Sequence, residues 1–341
     1  VAQAWEAGRL GAGELDGQVS VRTAPGEPLA VDADLSVTGG AFETDDAGAA
    51  GEGLDLGARV RFRQPGGTAM AAVAATLEGG ALLFGNAFID LPDAPVELRV
   101  DAMRDGPGAA WSLPRFEWHD APALVGRGSA EFSVDGSLRG LELELESDDA
   151  SLLPARYLSG WLALAAMDGL HMRGGLDARA VVRDGALREG RLSVRGLDLR
   201  GQDDRFRFLG LGGEVVLASA EPAESALGWR AGAVGDIVFG PALLPLQSSG
   251  GELRLGEPVG VDLLGGRLVF DQAAMRLPAD GRGMRLELGM AVEAIQVEQL
   301  AHAFGWPAFG GTLSGRIPAA RYEDERLVLE GGLSMQVFDG R

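Results

Sequence analysis

The chain has 341 residues, 46% of them hydrophobic, and 50 acidic side chains against 30 basic ones give it a formal charge of −20. That surplus excludes the basic stripe a nucleic-acid binder presents, and it disfavours broad adhesion to anionic headgroups. Cysteine is absent and every basic residue is arginine, which excludes disulfides, thiol nucleophiles, Schiff-base lysines and a P-loop lysine.

Glycine is abundant, 53 of 341 residues, about twice the usual share of ~7%. It follows no collagen period and falls mostly between short apolar runs, where strands end and turn. Ala2–Ala7 reads as the tail of a helix. Leu54, Leu56, Ala58, Val60 and Phe62 then alternate with Asp55, Gly57, Arg59 and Arg61, and Val96, Leu98, Val100 and Ala102 alternate with Glu97, Arg99 and Asp101. Leu141, Leu143 and Leu145 alternate with Glu142, Glu144 and Glu146. A candidate helix covers Ser151–Ala166, with Ser151 at its N-cap. Alternation resumes at Leu192/Val194, Leu197/Leu199, Phe206/Phe208, Leu253/Leu255 and Leu268/Phe270, then along Met284, Leu286, Leu288 and Met290. Val297–Phe304 is long enough for two helical turns. Period-2 strands with one apolar and one charged face imply antiparallel sheet with one wet side. Gly39-Gly40, Asp135-Gly136, Asp184-Gly185, Gly210–Gly213, Gly250-Gly251 and Asp280-Gly281 read as turns. No apolar run reaches the ~18 residues of a membrane span; the longest are Thr68–Leu77 and Leu158–Met167.

Gly174–Arg179 resembles Gly311–Arg316, and Glu189–Val194 resembles Glu330–Met335, each copy preceded by a candidate helix. That is the mark of a stacked repeat. The division it suggests is a sheet segment over 1–150, a repeat with its leading helix over 151–296, and the start of another over 297–341, all within one elongated domain cut from a longer protein.

Motifs for chemistry are sparse. His119, His171 and His302 are far apart in sequence, with no metal-ligand spacing. Ser314 stands in a strand entering a turn rather than in a nucleophile elbow. The acidic pairs, such as Asp148-Asp149 and Asp203-Asp204, lack a calcium-loop pattern. The sequence therefore reads as non-enzymatic, without metal or cofactor. What remains is an apolar sheet face, which is either the inner face of a sandwich or closed barrel with nothing bound or a surface that takes an apolar ligand.

Residues Phe304–Pro318, Leu329–Leu333 and Phe338–Gly340 resemble the YdbH branch of the AsmA-like proteins. Upstream, Arg156–Leu158, Arg205–Phe208, Leu227–Trp229 and Leu263–Leu268 stand in the order found in that family, while residues 1–130 match only in style. The resemblance implies a mainly β fold: an elongated, twisted, antiparallel repeating β-groove, taco-like, with a few short helices. It implies a periplasmic bridge, anchored at the inner membrane, that carries phospholipid between inner and outer membranes, without catalytic residues. On this reading Leu141, Leu143, Leu145, Leu192, Val194, Leu197, Leu199, Phe206, Phe208, Leu253, Leu255, Leu268, Phe270, Met284, Leu286, Leu288 and Met290 are the candidates for lining an acyl-chain groove. The alternative is a structural or adhesive β-solenoid with a filled interior.

Overall fold

The computed structural model describes residues 8–45, 48–85, 87–92, 94–164, 167–218, 221–276, 285–307, 310–323 and 326–330. The protein is mainly antiparallel β, with 23 strands and a few short helices among these residues. Its contacts divide it into two compact units, Val1–Met172 with Arg179–Gly185, and Arg173–Ala178 with Ala186–Arg341. This division falls at neither 150 nor 296.

In the first unit β1 (Gly8–Arg22), β2 (Leu29–Thr44), β3 (Ala49–Gln64) and β4 (Thr68–Glu78) pair in succession. A small hairpin, β5 (Ala81–Phe84) with β6 (Ala87–Asp90), joins the free N-terminal half of β3. The meander continues from β4 to β7 (Val96–Asp105), β8 (Ser112–Asp120), β9 (Leu124–Phe132) and β10 (Leu138–Ser147). After β10 the chain turns through α1 (Leu153–Arg156) and α2 (Ser159–Leu164), both packed on β6. The dry core of this unit lies at that end of the sheet. Leu54, Leu77, Leu82, Leu91 and Val96 are buried there, with Phe42, Ile89 and Trp118 against them.

The expected helix over Ser151–Ala166 is broken at Tyr157–Leu158, and its first turn is capped by Asp149, whose Oδ1 accepts from the Ser151 N–H at 3.0 Å. The break has a cause in the sheet. Asp120 at the end of β8 is buried, and it accepts from Arg156 Nη1 at 2.9 and 3.0 Å and from the Tyr157 hydroxyl at 2.7 Å. Tying both residues to β8 ends α1 after one turn.

The second unit contains Arg173–Ala178 of β11 (His171–Arg183), then β12 (Ala186–Arg200), β13 (Phe206–Ala218), β14 (Ala223–Trp229), β15 (Ala231–Val234), β16 (Ile237–Phe239) and β17 (Ala242–Ser249). β13 divides its partners as β3 does: one end pairs with β14 and the other with β15. β15 and β16 form the small hairpin, and β14 pairs with β17. β18 (Glu252–Leu255) and β19 (Val259–Leu263) then share β20 (Gly266–Arg276), followed by β21 (Arg285–Gln296), α3 (Val297–Ala303), β22 (Thr312–Glu323) and β23 (Arg326–Glu330).

The wiring β2-β3-β4-β5-β6-β7 thus recurs as β12-β13-β14-β15-β16-β17. The agreement extends to irregularities. Register shifts flank Gly40 against Leu54, and they flank Leu197 against Leu211 at the same sequence interval on both strands. Gly39-Gly40 and Gly210–Gly213 are accordingly not turns. They lie inside long strands, at bulges, where Gly39 adopts φ 59° and Gly213 φ 129°. Each bulge leaves an N–H off the ladder, and a carboxylate on the paired strand accepts it: Asp55 from Gly39 at 2.7 Å, Asp198 from Gly210 at 2.6 Å. Of the matched segments, Gly174 lies inside β11, three residues after its start, and Gly311 immediately precedes β22. The matching stretch beyond Glu330, and the Asp280-Gly281 and Ala2–Ala7 expectations, lie outside the described residues.

Candidate functional site

Residues directly opposite in an antiparallel pair share a face, so the hydrogen-bond register can be followed across each unit. In the first unit one row reads Val19, Ala33, Val60, Val73, Val100, Phe116, Gly128, Leu143. The next reads Gly17, Leu35, Ala58, Ala75, Leu98, Trp118, Gly126, Leu145. The alternate row reads Gln18, Asp34, Arg59, Ala74, Arg99, Glu117, Arg127, Glu144. One face is hydrocarbon from edge to edge, and the other carries charge.

The charged face is laced by ion pairs. Arg59 meets Asp34 at 2.8 Å, Arg63 meets Asp32 at 2.9 Å, Arg127 meets Glu144 at 2.9 Å, and Arg179 meets Glu144 at 3.2 Å. Hydrogen bonding from Arg63 holds the Asp32 carboxyl below its ordinary range, and Arg115 does the same to Glu117. A hollow of about 1380 Å³ opens on this face, with Glu14, Asp16, Asp34, Arg59, Glu97 and Arg99 in its lining. Concavity is therefore not reserved for the apolar side.

Among the described residues, no layer covers the middle of the apolar face. Val60, Val73, Val100, Phe116, Leu141, Leu143 and Leu145 are each half-buried, and on the edge strand Leu15, Val19 and Val21 are 53%, 61% and 59% exposed. Side chains sealed in a sandwich would fall near zero, as Val96 does at the helix-covered end.

In the second unit the same tracing gives rows Val194–Gly213–Leu227–Leu244, Val259–Phe270–Met290, Val261–Leu268–Val292 and Leu253–Met275–Leu286. Leu199, Phe208, Gly232, Phe239 and Leu263 form another. Phe208, Trp229 and Phe239 stack edge-to-face there, with ring centroids 5.5 to 6.1 Å apart, and the Trp229 Nε1–H donates to the Gly240 carbonyl at 3.0 Å. On the reverse face Glu252 accepts from Arg254 at 2.6 Å and Arg276 at 2.8 Å, which depresses its pKa.

The sequence candidates separate by exposure. Leu141, Leu143 and Leu145 lie on the apolar face of the first unit. On the second, Leu199, Phe206, Phe208, Leu255, Leu268, Phe270, Leu288 and Met290 are half-buried, and Leu192 and Leu286 are exposed at 40% and 38%. Val194, Leu197 and Leu253 are buried under their neighbours. Met284 lies outside the described residues. Sequence reasoning named no site residue before Leu141, although the alternation of β3 and β7 was visible. It also missed Leu227, Trp229, Phe239 and Leu244, which sit on strands too short or interrupted to alternate visibly.

Among the described residues no grouping of His, Asp and Glu could hold a metal, and no helix is long and apolar enough to cross a membrane. No protein-family model, curated protein or solved structure matches this chain.

Proposed function

We propose that this protein holds phospholipid acyl chains along the apolar faces of its sheets, as a segment of a periplasmic bridge carrying lipid between the inner and outer membranes of a Gram-negative envelope. The observation that carries the reading is the set of cross-strand apolar rows that stay half-exposed. Covering such a surface is favourable: each acyl methylene taken from water gains about 0.8 kcal/mol. Side chains without polar atoms impose no register on a polymethylene chain, so lipid can slide along the rows. The repeated wiring supports the same reading, because it supplies the apolar surface twice by one design. A filled β-solenoid, by contrast, would bury the middle of the face as the end near Val96 is buried.

The test is photo-crosslinking in cells, with a crosslinking amino acid at Leu143 or Leu286 compared with Glu144 or Glu287 on the opposite faces. Phospholipid captured from the leucine positions alone is the expected result. Equal capture from both faces, or purified protein free of lipid by mass spectrometry of its organic extract, would overturn the reading.

A further inference from the structure

One arginine of the first unit breaks the division between the faces. Arg104, near the end of β7, alternates in step with Leu98, Val100 and Ala102, and it stands opposite Ala69, which is 1% exposed. Its side chain therefore belongs to the apolar face, at the edge where the strands end. Its guanidinium carbon lies 5.0 Å from the centre of the Trp111 ring. Its Nε is buried and has no hydrogen-bond partner among the described residues. Arg22, Arg59, Arg63, Arg99, Arg115 and Arg127 in this unit all meet carboxylates. Scarcity of acid is not the cause, since acids outnumber arginines 50 to 30.

Geometry keeps the nearby carboxylates away. Asp105 falls on the opposite face by alternation, where it accepts from Thr68 Oγ1 at 3.3 Å. Asp120, on the apolar-face alternation of β8, stands at the other end of that strand and is engaged by Arg156 and Tyr157. The loop after Arg104, Gly106-Pro107-Gly108-Ala109-Ala110, carries no acid. The result is a cation with a planar fork of donors, backed by an indole, at the border between hydrocarbon side chains and the strand ends. A guanidinium so placed matches the paired oxygens of a phosphate.

We propose that Arg104 and Trp111 form a phosphate site at the edge of the apolar face, taking the phosphodiester of a lipid whose acyl chains lie over Ala102 and Val100. The inference rests on the acyl-chain reading above. The shared chemistry is a phosphate oxyanion, supplied by a lipid headgroup or by a free phosphate ester, and the experiment separates the two.

The full chain is titrated calorimetrically with dihexanoyl-phosphatidylglycerol, with dihexanoylglycerol of the same chains, and with glycerophosphate. Wild type should prefer the phospholipid to the diacylglycerol. Arg104→Gln should lose about ten- to a hundred-fold of phospholipid affinity, the worth of a charge-assisted hydrogen bond, and leave the diacylglycerol unchanged. Arg104→Lys should recover part of the loss. Trp111→Leu should weaken the phospholipid less than Arg104→Gln does. Equal weakening of both lipids by Arg104→Gln, or no weakening of either, overturns the proposal and leaves the acyl-chain reading standing. Arg104-dependent binding of glycerophosphate, without binding of either lipid, upholds the phosphate site and overturns the acyl-chain reading. Wild type that binds none of the three overturns both.

Discussion

Replacing Asp120 with alanine should loosen the helical segment from the sheet of the first unit. The carboxylate is 6% exposed and accepts three hydrogen bonds, two from Arg156 Nη1 at 2.9 and 3.0 Å and one from the Tyr157 hydroxyl at 2.7 Å. The same hydroxyl accepts the Trp118 indole N–H at 2.9 Å. Burial, and the Asp120 acceptor next to it, push the Tyr157 phenol well above its ordinary range, so it remains a donor at every physiological pH. Without the carboxylate, a guanidinium and a phenol lose their partner in a poorly hydrated place. Breaking a buried pair costs about 3–5 kcal/mol. The Arg156 side chain is 25% exposed and can recover some water, which argues for the lower end, about 3 kcal/mol.

For a unit of this size that is a fall of about 6–12 °C in Tm. Tryptophan fluorescence can follow it, since Trp118 belongs to the network. Asp120→Ala combined with Arg156→Ala should cost clearly less than the two singles added, because the second change removes the stranded charge. A loss below about 1 kcal/mol, or full additivity, would show that the network does not hold the helix.

Three other outcomes follow from the same structure. Gly213→Ala should destabilise the second unit by about 2 kcal/mol or more, because φ is 129° and a Cβ would meet the Ala226 carbonyl oxygen at 2.1 Å, whereas Gly57→Ala, with open space around it, should stay within about 0.5 kcal/mol in urea denaturation. Glu252 has a depressed pKa in the folded state, so its contribution is present above the ordinary carboxylate range and is lost as pH falls through the folded value; urea midpoints measured from pH 6 to pH 3 should fall less steeply for Glu252→Gln than for wild type, and parallel slopes would refute the assignment. Leu286→Arg should leave the far-ultraviolet circular dichroism unchanged, because the side chain is 38% exposed and can reach water, yet reduce lipid recovered from the purified protein; unfolding, or undiminished lipid, would count against the open-face reading.

Much of the fold was legible from alternation, and the limit of legibility is physical. β3, β7, β10 and β21 alternate over long stretches, and the register then only confirmed which residues share a face. The bulges were not legible. At Gly39 and Gly196 a strand takes a positive φ, yet a glycine in sequence signals a turn equally well. The recurrence of Val37–Phe42 at Val194–Leu199 survives mainly in the leading valine and one glycine. Likewise Gly53-Leu54 recurs as Gly210-Leu211. Backbone geometry can repeat while most letters change, because a bulge constrains one φ and leaves the outward side chains free. Asp120 was invisible for another reason: its partners lie 36 and 37 residues later, in a segment that read as an uninterrupted helix. The candidate site was legible only where strands run long. β14 has seven residues and β16 three, too few for a period to be counted.

Where no second layer covers it among the described residues, a sheet must be held by something other than its apolar face. Here the backbone ladders do most of it, helped by cross-strand ion pairs on the wet face. Single exposed pairs contribute only about 0.2–1 kcal/mol, but Asp32 with Arg22 and Arg63, Glu144 with Arg127 and Arg179, and Glu252 with Arg254 and Arg276 each join one carboxylate to two arginines. Asp32 and Glu144 each reach an arginine on the strand to either side, and Glu252 reaches Arg254 on its own strand and Arg276 on β20, so these charges tie strands at right angles to the chain. The large buried side chains of the first unit cluster at the end under β6 and the helices. Stability is thereby separated from whatever lies on the hydrocarbon rows. A face that the fold does not need to fill can be empty, occupied, or swept by a moving chain without unfolding the protein, which is the property that carriage along a surface demands.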